Sequence, residues 1–494
     1  MANASTAELW PELDRIPKAP PPPAPSPDED AAGYGPPAPL QGFMRLSGEL
    51  GPIFRFEAPG FQMVIASGAD LVAELVDESR FAKHVGFGMA AYREVTADGL
   101  FTAFNDEPNW QLAHDILAPA FTLEAMRSYH AAMVTTVREL IAAWDKRAGE
   151  PVDVVGDMTN VALESIGRAG FGYTFESFER TGPHPFIASM IATLQHSTKM
   201  PEEQLAEKEQ HEKNVRFMHD LVDDVVRRRQ ESGDTRTNDL LGVMLNTSQD
   251  GTGRRLDLTN IRNQITTFLV AGFGTSAGLM SFALYYLTKH PDVLAKAREE
   301  VDRVLGGDLD ADPTYEQVAK LRYVRKVLDE SLRLWPPAAV FMREAREDTV
   351  LGGTYPMKKG AWALVLTPVL HRDPAVWGED AERFDPERFT PEAIRSRPAH
   401  AYKPFGTGPR ACIGRQFAQH EATLAVAMLL QRFDLRADPD YELTVGEPGF
   451  FMPAGFTLTA RPRAAAAGDA AVAEEATEEA AVPQGCPHHS FQTT

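Results

Sequence analysis

Apolar residues recur at three- and four-residue spacing over most of residues 70–305, the period of helices that bury one face. Residues 133–144 and 211–229 show it clearly, and helices continue through 315–334. Elsewhere the period changes. Residues 53–56 and 62–66 flank Ala58-Pro59-Gly60 and predict two strands around a turn. A strand-rich zone is predicted over 349–367 and a hairpin between 441 and 460. Another helix is predicted from just after Cys412 to about Phe433. Nothing between 42 and 463 reads as a linker, and no repeat is evident. The expected fold is mainly α with small β-sheets, in a single large domain over 42–463.

Composition narrows this picture. The chain has 494 residues, 43% hydrophobic, with a formal net charge of −21. It can bury a large core without a disulfide or metal staple. An acidic surface repels phosphates, which argues against nucleic acid as a partner. Two cysteines, Cys412 and Cys486, exclude a disulfide framework and fit a reducing, cytoplasmic setting. Residues 1–41 read as a proline-rich acidic leader, with Pro20 to Pro23 followed by Asp28-Glu29-Asp30. Residues 464–494 hold five acids and no base, and read as a disordered acidic tail. Cys486, His488 and His489 fall in that tail, where flexibility outweighs a metal or heme role. No basic segment followed by an apolar one opens the chain, so no signal peptide is expected. Residues 263–288 carry no charge and are long enough to cross a membrane. Their threonines, serines and glycines favour a buried core helix and no membrane span.

The densest chemical signal is Phe405-Gly406-Thr407-Gly408-Pro409-Arg410-Ala411-Cys412-Ile413-Gly414. A glycine-rich loop delivers one cysteine to a helix start. Backbone N–H groups and the helix dipole there stabilise a thiolate and are expected to lower its pKa. Gly408 and Gly414 allow close approach to a flat ligand. Arg410 is placed to pair with a carboxylate on it. An isolated cysteine is more often inert, but the ten-residue arrangement is far more specific. The segment resembles the cytochrome P450 signature Phe-x-x-Gly-x-Arg-x-Cys-x-Gly, matching every fixed position.

That resemblance implies the cytochrome P450 fold, heme b as cofactor, and Cys412 as the proximal ligand of heme iron, in a loop begun by Phe405 and Gly406. Glu330 and Arg333, three apart on a helix, would ordinarily be a surface pair of little worth. Beside the cysteine loop they resemble the family's Glu-x-x-Arg motif, completed by Arg388 in Pro386-Glu387-Arg388-Phe389. The resemblance places Trp110, His114, Arg343 and Arg410 on the heme propionates. Similar segments recur over most of 43–462, and are most similar to bacterial fatty-acid hydroxylases often fused to a flavin reductase.

On the uncharged helix, Ala271, Thr275 and Gly278 share one face, where small residues leave room for dioxygen and substrate. A competing reading of 266–278 as a strand and dinucleotide-binding glycine turn fails, because a charged helix follows where a second strand is needed. The family pattern has an acid before the threonine, but here that position is Gly274. The acid normally helps relay protons. Its absence opens an alternative: the same fold running peroxide-driven oxidation, nitrogen-group transfer or nitration. A non-catalytic heme sensor is the rival from another class.

The resemblance puts Phe101, Ala338, Val340 and Phe451 around the substrate, which is expected to be a hydrophobic small molecule, with a fatty-acid-like one as a candidate. Phe61 and Ile65 stand where the hydroxylases bind a carboxylate, and neither side chain can do so. The expected reaction is monooxygenation, with electrons from a separate ferredoxin or flavodoxin/flavin reductase system.

Overall fold

The computed structural model describes residues 6–20, 39–58, 61–86, 89–180, 182–198, 201–447 and 449–463. The uncharged run forms the longest helix, Leu258–Lys289. The Asp257 carboxylate caps it by accepting the Asn260 N–H at 2.8 Å. Lys289 sits at its negative end, and Pro291 opens the next helix. Helix Val154–Ile166 lies along this core helix, and helices Arg322–Leu334 and Arg415–Arg432 pack on it. Its most apolar stretch is 83% buried inside the fold, the environment that an all-round apolar helix needs.

The main sheet runs in the order Ile53–Ala58, Phe61–Ala66, Trp362–Leu366, Val340–Ala345, Phe81–Lys83. The predicted hairpin is present, with Ile53 opposite Ala66. Alternate side chains point to opposite faces. Val64, Ala66, Ala363 and Val365 join one apolar cluster, while Met63, Ile65, Leu364 and Leu366 join another. Both faces are covered, which is why these strands read as continuous apolar runs.

The first face is covered partly by a segment that the sequence pattern places in the leader. Trp10, Leu13 and Ile16 are 2%, 7% and 1% exposed and belong to that cluster. The Ala19 N–H donates to Arg55 O at 2.8 Å and the Arg55 N–H to Pro17 O at 2.8 Å. Helix Pro39–Leu50 begins before the expected boundary. The domain therefore takes in part of residues 1–41. Apolar residues three apart were masked by the acidic average around them. Residues 21–38 and 464–494, with Cys486, His488 and His489, lie outside the described residues.

The hairpin expected between 441 and 460 is present but short, and the C-terminal strand pairs elsewhere. Thr457–Pro462 pairs with Phe433–Ala437 and Pro151–Asp153, and only the short pair Val445–Gly446 and Met452–Pro453 closes the loop between. That loop lies over the core helix.

Candidate active site

Cys412 lies between a short turn, Gly408–Arg410, and helix Arg415–Arg432. Gly406 and Gly408 have φ of +70° and +64°, a region glycine enters without strain. A Cβ at Gly408 would run into the Glu78 carboxylate. The Cys412 N–H donates to Phe405 O at 2.9 Å, and the Gly414 N–H is directed at the sulfur. Cys412 is walled in by protein yet open to a solvent-sized space. Burial pushes its thiol pKa up, against the pull of the Gly414 N–H, Arg415 and Lys83. This reverses the expected lowering, because desolvation outweighs the loop dipole. A coordinated cation inverts that balance and deprotonates the thiol outright.

Two cations share this space. Arg410 donates to Ala103 O at 2.6 Å and Asn105 Oδ1 at 3.3 Å, and its buried Nε has no partner. Its guanidinium lies 4.8 Å from the Trp110 ring centre, and Trp110 stacks on His114 at 5.0 Å. Lys83 donates to Phe101 O at 2.6 Å. Burial and Arg410 push the Lys83 pKa well down, while Cys412 raises it. Neither cation meets a carboxylate within 4.0 Å among the described residues. Even a half-buried charge is costly when it is drawn partly out of water without a partner. A flat cofactor with its own carboxylates would supply the missing partners, with Cys412 as its metal ligand. The residues present therefore fit a heme. Lys83 was not singled out from the sequence: a single lysine ending a short strand carries no motif.

Arg343 is a correction to the propionate set. It is 2% exposed and donates to Leu75 O at 2.8 Å, and to Glu78 Oε1 and Phe81 O at 2.9 Å. Its guanidinium ties strand Val340–Ala345 to the Glu78 turn instead.

Segment 99–103 links the cysteine loop to the core helix. The Leu100 N–H donates to Gln264 Oε1 at 3.0 Å, and Ala103 O accepts from Arg410. Phe101 on this segment is 39% exposed. Ala271 is also exposed and Thr275 partly so, although both lie on the core helix, and Ala338 is exposed between buried neighbours. The Thr275 hydroxyl donates to Ala271 O at 2.7 Å. These side chains keep open surface, and Val340, two residues after Ala338, is half-buried. Two expectations fail here. Gly278 does not leave free room, since a Cβ there would stand 2.7 Å from Phe451 O and 3.0 Å from Pro337 Cγ. The Phe451 side chain is 1% exposed and packs with Phe282 and Ala339. Phe450 is the ring that meets the core helix at Gly274, while Phe451 meets it further along, at Phe282. A surface cleft of about 640 Å³ lined by His196, His211 and His219 shares no residue with this set.

Below the loop, Glu330 and Arg333 are both fully buried. Arg333 donates to Glu330 Oε2 at 2.7 Å and Oε1 at 2.8 Å, and to three carbonyls, those of His371, Ala381 and Arg383. Arg388 approaches Glu330 at 3.7 Å, while its shorter bonds go to Trp377 O and Asp380 O. His371 accepts the Lys403 N–H at Nε2, at 2.8 Å, and its Nδ1 faces Arg333 O at 3.2 Å. This fixes the Nδ1–H tautomer. It also ties the ion pair to the start of the cysteine loop.

Comparison with known proteins agrees with this geometry. The family model for cytochrome P450 matches residues 34–458. The bifunctional cytochrome P450/NADPH–P450 reductase of Bacillus cereus is 47% identical over 434 residues, covering 86% of this chain and 40% of that protein. The second such protein of Bacillus subtilis is 47% identical over 435 residues, 86% of this chain and 41% of its own length. A self-sufficient cytochrome P450 monooxygenase of Phanerodontia chrysosporium is 36% identical over 435 residues, with coverage of 86% and 41%. The chain spans about two fifths of the length of these relatives. It belongs to the cytochrome P450 family, whose cofactor is heme b.

Proposed function

We propose that this domain is a heme-thiolate monooxygenase acting on a hydrophobic small molecule. The observation that carries the reading is the pair of half-buried cations without a carboxylate partner, Lys83 and Arg410, beside the open sulfur of Cys412. Heme held by Cys412 supplies activation of dioxygen. Lys83 and Arg410 neutralise its carboxylates, with the Trp110 ring supporting Arg410 and His114 supporting Trp110. The Thr275 hydroxyl rests its proton on Ala271 O, ready to turn toward a ligand in the open space. Gly274 contributes no proton-carrying group. Phe101, Ala271, Ala338 and Val340 present apolar surface to the substrate, which favours an apolar chain such as a fatty acid's. Ile65 is fully buried and gives no carboxylate anchor.

The relatives are named for an NADPH–P450 reductase. We assign electron supply to a flavin reductase of that kind, in the cytoplasm, with a ferredoxin or flavodoxin as the other candidate donors. The test is an optical titration of purified protein with long-chain fatty acids. A Soret shift from low to high spin is expected as substrate displaces water. A heme band that ignores every apolar ligand would oppose this reading. A second reading, peroxide-driven oxidation, is favoured by Gly274 alone. Turnover with hydrogen peroxide but not with a reductase and dioxygen would select it.

A further inference from the structure

We propose that Phe450 replaces the side chain missing at residue 274 in shaping the space beside Thr275, and so determines which ligands this domain accepts. The proposal rests on the Thr275 face being the substrate side. Gly274 and Gly278 lie one turn apart and form a groove in the core helix. Loop residues fill both positions. A Cβ at Gly274 would overlap the Phe450 ring, and the Phe451 carbonyl and Pro337 occupy the place at Gly278.

The loop is held from several directions. The Glu447 carboxylate accepts the N–H groups of Leu40 at 3.1 Å and Gln41 at 3.0 Å. The Phe451 N–H donates to Pro337 O at 3.0 Å. Gly449, with φ of +94°, turns the chain, and a Cβ there would stand 3.1 Å from Leu194 and 3.6 Å from Tyr92 Oη. Phe450 meets Phe273 edge-on at 6.0 Å, and Tyr92 meets Phe101 edge-on at 5.7 Å. Tyr92 thus pairs with Phe101 and Phe450 with Phe273, and the Tyr92 hydroxyl lies beside Gly449, the residue before Phe450. The ring takes the volume that a carboxylate or a water would need at position 274. It keeps that side of Thr275 dry and limits the bulk a ligand can place there.

The test uses the full chain with Gly274→Ala, Phe450→Ala, Phe450→Leu and the double variant Gly274→Ala/Phe450→Ala. The first readout is the thermal midpoint. Gly274→Ala lowers it when Phe450 is present. With Phe450→Ala it raises the midpoint, because alanine favours helix over glycine once the space is free. The same shift in both backgrounds would overturn the contact. The second readout is azole binding followed in the Soret band. Phe450→Ala tightens 4-phenylimidazole by roughly tenfold, the lower end of what one group of ligand bulk is worth in an apolar pocket. Imidazole binding stays unchanged, and Phe450→Leu falls between. An unmoved ratio of the two azoles would overturn the specificity role. A protein with no azole-responsive Soret band would contradict the heme reading, and the midpoint cycle would then decide the Phe450 contact alone.

Discussion

Glu330–Arg333 and Lys83–Arg410 are both charge clusters against the cysteine loop, the first fully buried and the second half-buried, and only the first is complete. Five hydrogen bonds use all five N–H groups of Arg333, and Glu330 takes two of them. Arg410 keeps a buried Nε without a partner, and Lys83 is pressed toward its neutral form. A closed cluster asks for nothing further and holds the fold. An open one destabilises the chain until a ligand of opposite charge arrives. The contrast separates structural from ligand-binding charge without reference to motifs.

Breaking the closed cluster has the largest expected effect. Arg333→Leu strands the Glu330 carboxylate in the core and costs about 3–5 kcal/mol of folding stability. Chemical denaturation checks this; a loss near zero would mean the pair is not closed. Acid attacks the same cluster through His371. Burial, with Arg333 nearby, pushes the His371 pKa down to about 3 from 6.5. The unfolded chain gains a proton below about 6.5 that the folded chain refuses. Stability is therefore full above pH 6.5 and falls as pH drops toward 3, by at most about 1.4 kcal/mol per pH unit from this group. Denaturation midpoints across that window test it, with His371→Asn flattening the slope.

Restoring an acid by Gly274→Glu forces a carboxylate into a filled place. It costs about 1–3 kcal/mol from overpacking against Phe450. Pairing it with Phe450→Ala recovers part of the loss, which thermal melts will report. Opening the second cluster further has the smallest effect and the opposite sign. Lys83→Met raises the stability of heme-free protein by about 1 kcal/mol, because an unpaired charge is removed. The same change speeds heme loss to apomyoglobin. A parallel loss in both assays would place Lys83 among the structural residues.

The parts legible in the sequence are those where spacing carries the chemistry. The ten-residue cysteine loop, the Glu330/Arg333 spacing and the uncharged core helix all depend on local pattern, and local pattern survives in a linear string. Lys83 was invisible because its partners, Arg410 and Cys412, are brought to it only by the fold. Arg343 was misassigned because Glu78 reaches it across the sheet. Phe450 was missed in favour of its neighbour because only the fold shows that Phe450 lies at Gly274 and Phe451 further along the same helix, at Phe282. Residues 8–20 were lost to averaging, since a few apolar side chains among charges suffice to cover a sheet face.

The central claim is that Cys412 presents a thiolate to heme iron. The most direct measurement is the carbon monoxide difference spectrum of the dithionite-reduced protein, with Cys412→Ser alongside. The account predicts the strongly red-shifted Soret band of a thiolate-ligated carbonyl heme in the native chain, and its loss in the variant. A blue-shifted band in the native chain, typical of a nitrogen or neutral-thiol ligand, or a red-shifted band that persists in Cys412→Ser, would contradict it.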